Sequence, residues 1–149
     1  MTYPEAVVAE ILSRFSIPLQ YNNQEESAKA VVARYHHVWT PDLRVLAGDG
    51  SELYRWNGFL PPFEFAAQAL AAFAHARLRM LDYAGAEETY QEVLRRFPTA
   101  HVAPEATYFL GVSQYRKDPD SNDLRKQWHH LQGRYPQSEW RIKQSFIEQ

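Results

Sequence analysis

The sequence predicts an α+β fold, a short mixed half followed by a helical half. Three observations predict it. Before residue 60 the apolar residues change period, helical in some stretches and alternating in others. In the same half a Gly48-Asp49-Gly50 turn separates two short apolar runs, the mark of a β-hairpin. After residue 60 every apolar pattern is helical.

Each element follows from its own residues. Residues 4–15 read as a helix, because Val7, Val8, Ile11, Leu12 and Phe15 recur at helical spacing. Pro4 suits a first helical position and Glu5 a first turn. Residues 17–21 read as a short strand. Asn22, Asn23, Glu25 and Glu26 then open a helix to about residue 36, with Ala28, Val31, Val32 and Tyr35 as its apolar stripe. Trp39-Thr40-Pro41 breaks it. Residues 43–46 and 52–56 are the two hairpin strands, and Asn57-Gly58 ends the second. Pro61-Pro62 opens a long Ala-rich helix, residues 61–81. Tyr83-Ala84-Gly85 is expected to break it before helices at 86–97, 104–116, 122–135 and 139–147.

Composition sets the boundaries of function. The chain has 149 residues, 18 acidic and 16 basic, with a net charge of −2. That balance argues against a nucleic-acid protein held by a broad basic face. Acidic and basic residues also balance within the helical half, as on a soluble helical array. No apolar run is long enough to cross a membrane. The first ten residues lack a basic segment followed by an apolar one, so no signal peptide is expected and the expected location is cytoplasmic. There is no cysteine. This chain alone therefore supplies no disulfide, no thiolate zinc site and no cysteine redox chemistry.

The helical half repeats itself. Shifted by 38 residues, Ala86, Tyr90 and Val93 meet Leu124, Trp128 and Leu131. Arg96-Phe97-Pro98 meets Arg134-Tyr135-Pro136, and Tyr108 meets Phe146. Small or apolar residues at i, i+4 and i+7 make one buried stripe, and the proline ends the helix. With Leu110-Gly111, the segments 81–90 and 108–115 give this half a resemblance to tetratricopeptide repeats, helix–turn–helix units that stack into a solenoid. About one and a half to two units are present, fewer than the three such arrays usually need. The array is therefore expected to pack on the first half or on another chain.

The mixed half carries a second resemblance. Ile17-Pro18-Leu19-Gln20 looks like a parallel strand, Trp39-Thr40-Pro41 like a cis-proline loop, and residues 43–52 like a strand–Asp-Gly–strand hairpin. Arg55-Trp56-Asn57-Gly58-Phe59-Leu60-Pro61-Pro62-Phe63-Glu64-Phe65 is the most specific string. Together these resemble the thioredoxin superfamily from just past its Cys-x-x-Cys. The resemblance implies a degenerate thioredoxin-like α/β sheet followed by an all-α tetratricopeptide-like helical extension. It divides the chain into 1–74 and 75–149, with helix 61–81 shared. In that family the strand before the active-site helix is central in the sheet and ends in the nucleophilic cysteine. Here it would precede Met1, which leaves three arrangements open: a natural start upstream, a variant with its own closed sheet, or a second copy filling the gap.

The candidate sites follow. The resemblance implies that backbone at Trp39, Thr40 and Pro41 aligns an extended peptide, although the same bond could simply fix the turn before the hairpin. Tyr90, Tyr115 and Trp128 are the candidate interface aromatics of the repeat. His36-His37 and His129-His130 are adjacent pairs that do not share a helix face, so no metal site is expected. No nucleophile elbow or phosphate loop is present, and no catalytic residue or cofactor is expected. The expected function is a non-catalytic, redox-inactive protein–protein interaction module. Its expected partners are other proteins or a second copy completing the sheet, not nucleic acid or membrane. The alternative is an N-terminally truncated thiol–disulfide oxidoreductase whose Cys-x-x-Cys lies upstream of Met1.

Overall fold

Residues 2–145 are described in a computed structural model of the chain. Their order is α1 (Ala6–Phe15), a 3-10 turn (Glu26–Ala28), α2 (Lys29–Arg34), β1 (Asp42–Leu46), β2 (Glu52–Asn57), α3 (Pro62–Arg79), α4 (Tyr83–Arg96), α5 (Ala103–Lys117), α6 (Asp123–Arg134) and α7 (Glu139–Lys143). The fold is α+β, with helices around one two-stranded antiparallel sheet. No helix among the described residues is long and apolar enough to cross a membrane.

Helix α3 is the centre. Every residue from Phe65 to Ala76 is buried. Alanines at 66, 67, 69, 71, 72, 74 and 76 keep its surface narrow, so neighbours approach on every side. Helix α1 packs Val8 and Ile11 on one side of it; α4 and the hairpin pack on others. Beyond α4 the helices follow in series, α4 against α5 and α5 against α6. One apolar core runs from Val8 and Ile11 through α3 to Tyr90, Val93 and Leu110.

The 38-residue repeat is visible in the helix ends. Helix α4 stops at Phe97 (φ −131°, ψ 51°), whose N–H donates to the Val93 carbonyl. Helix α6 stops at Tyr135 (φ −130°, ψ 55°), whose N–H donates to the Leu131 carbonyl. A proline follows each cap, and the Tyr135 hydroxyl donates to the Pro98 carbonyl at 2.9 Å, tying one cap to the other. The overlay of Tyr108 on Phe146 lies outside the described residues, as does the end of the expected helix 139–147.

Three expected elements differ. Residues 17–21 are not a strand: Ile17, Leu19 and Tyr21 are 88%, 75% and 53% exposed. Alternation alone makes no strand without a ladder partner, and among the described residues only β1 and β2 pair. The helix expected over 22–36 shrinks to the 3-10 turn and α2. Asn22 and Asn23 are spent in loop hydrogen bonds, and His36 turns the chain at φ 50°. The break expected at Tyr83-Ala84-Gly85 falls earlier, at Leu81 (φ 64°). Asp82 then caps α4 by accepting from the Gly85 N–H at 3.0 Å, so those three residues form its first turn.

The hairpin pairs Leu43 with Trp56, Arg44 with Arg55 and Val45 with Tyr54, with an irregularity between Val45 and Leu46 that leaves Leu53 unpaired. In its turn Gly50 holds φ 81°, and a Cβ there would lie 2.5 Å from the Arg34 guanidinium. An aromatic file connects hairpin and helices. Phe65 meets Trp56, Trp56 meets Tyr54, Tyr54 stacks on His75, and Phe109 bridges His75 to Trp140.

A four-residue ion network fastens α1 to α4. Glu92 accepts two hydrogen bonds from Arg14, at 2.8 and 2.7 Å, and one from Arg96 at 2.8 Å. Arg96 also donates to Glu10 at 2.6 Å. Exposed pairs such as Lys29–Glu26 contribute little. Glu92 differs, because its side chain is only 9% exposed. Hydrogen bonds from Arg14 hold its carboxyl below the usual range against the opposing effect of burial; hydrogen bonding from Arg96 does the same for Glu10. Carboxyls depressed by folding stabilise above their unfolded pKa, about 4.3, and lose that contribution as pH falls through the folded value. Glu92→Gln is therefore expected to cost about 1–3 kcal/mol at neutral pH. In urea titrations across the acid range, the gap between wild type and variant should close below about pH 4. A gap that stays constant on acidification would contradict the assignment.

Candidate functional site

The loop between α2 and β1 has no regular secondary structure, so side chains must hold it. Asn23 donates to the Thr40 hydroxyl at 3.0 Å and to His37 Nε2 at 3.2 Å. Thr40 Oγ1 lies 3.3 Å from the same ring nitrogen. His37 Nδ1 lies 3.3 Å from Asp42 Oδ2. The amide of Asn23 is a donor and the Asp42 carboxylate an acceptor, so the neutral ring with its proton on Nδ1 satisfies both sides. On the far side the Asn57 amide donates to the Trp39 carbonyl at 3.3 Å, and the Gly58 N–H to the Pro41 carbonyl at 3.0 Å.

Asp42 anchors the strand that leaves this loop. Burial raises its pKa, but Arg44 and then His37 outweigh that through hydrogen bonds and hold the carboxyl below its ordinary value. Arg44 donates to both Asp42 oxygens, at 3.0 and 2.8 Å, to the Tyr35 carbonyl at 2.6 Å, and to Glu52. The loop is thus pinned at α2, β1 and β2 together.

The Thr40–Pro41 peptide bond is cis. A cleft opens on each side of it. One, of about 300 Å³, is lined by Thr2, Tyr3, Gln20, Pro41, Gly58, Phe59, Leu60 and Phe65. The other, of about 240 Å³, is lined by Asn23, His37, Val38, Trp39 and Thr40. No Asp, Glu, Lys or Arg lines either cleft. The rims are apolar and open to solvent: Trp39 is 69% exposed, Phe59 73% and Val38 79%. Their neighbours Ile17, Leu19 and Tyr21 are exposed as well. Exposed aromatic side chains at the rim of a cleft are the kind of surface that marks an interaction site.

The other expected site residues are dispersed. Tyr90 is fully buried and Trp128 is 4% exposed, so neither lines a surface, and both leave the candidate interface. They occupy the equivalent inward stripes that the 38-residue overlay identifies; aromatic residues there fill the space between helices. Trp128 stacks on Tyr108 at 4.8 Å. Tyr115, 42% exposed, is the one of the three that faces solvent. Among the described residues no three His, Asp or Glu side chains converge to hold a metal ion.

A second cluster escaped sequence reasoning. Glu105 Oε1 lies 2.7 Å from His75 Nε2 and accepts from the Tyr54 hydroxyl at 3.1 Å. Gln68 donates to that hydroxyl at 3.1 Å, and its carbonyl oxygen lies 3.1 Å from His101 Nε2. His101 Nδ1 lies 2.6 Å from Glu64 Oε2. The chain of contacts runs from surface to core through β2, α3, α5 and the α4–α5 turn. Its sequence signal is Gln68 and His75, two polar residues inside an otherwise apolar run of α3.

No protein-family model, curated protein or solved structure matches the chain. The site is accordingly read from its own residues.

Its exposure makes Trp39 separable from the other tryptophans. Trp128 is buried, and Trp56 and Trp140 are partly covered. Acrylamide is expected to quench the wild-type fluorescence in two phases. Trp39→Phe should remove the readily quenched phase and leave the protected one. Equal quenching of wild type and variant would place Trp39 under cover.

Proposed function

We propose that the chain is a non-catalytic protein–protein interaction module, thioredoxin-like in its first half and redox-inactive, that receives an extended, uncharged apolar segment of a partner protein. The segment lies across Trp39-Thr40-Pro41, with side chains directed into the two flanking clefts. The observation that carries this reading is the pair of clefts without acidic or basic side chains, set under exposed Trp39 and Phe59. Burying those two rings offers a large apolar gain, and a charged segment would lose hydration there without gaining a partner. Resemblance of the Thr40-Pro41 loop and the 55–65 string to the thioredoxin superfamily supports it from the sequence side. Thiol–disulfide exchange requires an attacking thiolate, which a chain without cysteine does not supply. The helical half then acts as the support that fixes the hairpin.

The test is a peptide array scanning uncharged extended sequences with apolar side chains at alternate positions, followed by calorimetry on the hits. Trp39→Ala and Phe59→Ala should each weaken binding by about tenfold or more, as expected of aromatic anchors. Tyr115→Ala should leave it unchanged. The reading fails if no peptide binds, or if the two cleft variants bind as well as wild type.

A second reading rests on residues 17–21. They have no regular secondary structure, Ile17, Leu19 and Tyr21 stand in solvent, and among the described residues the sheet has two strands. Such segments invite pairing with another chain. In this reading a second copy covers them and forms a homodimer. Light scattering across a hundredfold dilution (about 1–100 μM, spanning common affinities) should then show dissociation, shifted toward monomer by Leu19→Lys. A monomer at every concentration excludes it.

A further inference from the structure

The His101–Gln68–Tyr54–Glu105 chain has a proton count that fixes its state. His101 presents both ring nitrogens to acceptors, Nδ1 to the Glu64 carboxylate at 2.6 Å and Nε2 to the Gln68 carbonyl oxygen at 3.1 Å. Its own backbone N–H also donates to Glu64 Oε2, at 2.9 Å. A neutral imidazole carries one N–H and satisfies only one acceptor, so this arrangement requires the imidazolium. The Tyr54 hydroxyl gives its single proton to Glu105, and therefore accepts from the Gln68 NH₂.

We propose that Gln68 is a relay that reports the protonation of His101 to the buried Tyr54–Glu105–His75 group. When the Nε2 proton leaves for solvent, the bare nitrogen faces the Gln68 oxygen, two acceptors in contact. Turning the amide over relieves this, since NH₂ now donates to the ring. The amide oxygen then faces the Tyr54 oxygen. Tyr54 has one proton, and its O–H swings from Glu105 to Gln68. Glu105 keeps only His75 as donor. One proton has left the molecule, and two hydrogen bonds inside it have reversed direction.

The surroundings suit such a device. The His101 side chain is 52% exposed to water, whereas the His75 side chain is 9% exposed. Gln68 is buried, so its amide has no water to substitute for a lost partner. Burial, and then the negative charge of Glu105, push the Tyr54 hydroxyl well above its ordinary value, so it stays a one-proton donor throughout. The titratable and charged groups around the chain are Glu64, His75 and Arg79 of α3, Tyr90 of α4, Glu105 of α5 and Tyr54 of β2. No other element directs a charged side chain at His101 in the described contacts. The relay passes through Tyr54 on β2, the strand that leads to Phe59.

Imidazole and tyrosine NMR of the full chain tests this between about pH 5 and 8, the range in which histidine charge changes. The titration of His101 should appear, with the same inflection, in the ring signals of Tyr54 and His75. In Gln68→Met, His101 should still titrate while the shared inflection vanishes from Tyr54 and His75. His101→Gln, at a half-exposed site that leaves Gln68 in place, should abolish that inflection too. The proposal is overturned if wild-type Tyr54 and His75 do not report the His101 titration, or if they continue to report it in either variant. It is overturned as well if His101 carries a single ring proton at the acid end of the range.

Discussion

The rest of the structure depends on the complete burial of α3 from Phe65 to Ala76. A helix covered all round must be narrow, and the alanines between Ala66 and Ala76 make it so. They contribute little burial energy themselves. Their effect is to let α1, the hairpin and α4 all reach one axis, so that Val8, Ile11, Leu70 and Tyr90 share a single core. The same crowding penalises unpaired polar groups, because a buried donor or acceptor without a partner costs about 1–3 kcal/mol. Gln68 and His75 sit inside α3 under that constraint. The structure meets it by recruiting Tyr54 from β2, Glu105 from α5 and His101 from the α4–α5 turn. A packing constraint on one helix thus dictates which elements carry polar side chains, and where.

The candidate site inherits its position from the same helix. Phe59, Leu60 and Pro61 lead into α3, and Phe65 in its first turns forms part of the cleft wall. Tyr3 meets Phe65 edge-on at 5.3 Å, which brings the start of α1 to the same place. The loop opposite is held by polar contacts among Asn23, His37, Thr40 and Asp42. An apolar wall on one side and a hydrogen-bonded loop on the other leave Trp39 and Phe59 free to face solvent.

Much of this was legible in the sequence, and the failures have physical causes. The hairpin was legible because Gly48-Asp49-Gly50 meets a strict backbone demand that few residues satisfy. The repeat was legible because Phe97-Pro98 and Tyr135-Pro136 stop helices in the same way, down to matching cap angles. At Thr40-Pro41 the residue types gave a helix break, and the cis bond was implied by the family resemblance. Residues 17–21 misled because period-two alternation describes a chain that could pair, and says nothing about whether a partner strand lies alongside. Tyr90 and Trp128 misled because a periodic aromatic stripe looks the same whether it faces a helix or a groove. The polar chain through Gln68 was missed because its members lie in four elements, and only tertiary packing brings them together.

The two histidines nearest these features show how partner identity, more than exposure, sets what a titratable group can do. His37 faces the Asn23 NH₂ on one nitrogen and the Asp42 carboxylate on the other, so one ring N–H completes its network. His101 faces acceptors on both, so the charged ring completes its network and deprotonation breaks it. The first is a fixed strut, and the second can signal only if its neighbour can reverse. Gln68 is such a neighbour, because an amide offers a donor and an acceptor of nearly equal shape and exchanges them by rotation. A Met at that position would fill about the same volume and pack as well against the neighbours of α3, yet it would end the chain of contacts. The choice of glutamine in a helix that otherwise selects for alanine is therefore accounted for by hydrogen-bond direction, a property that packing alone does not require.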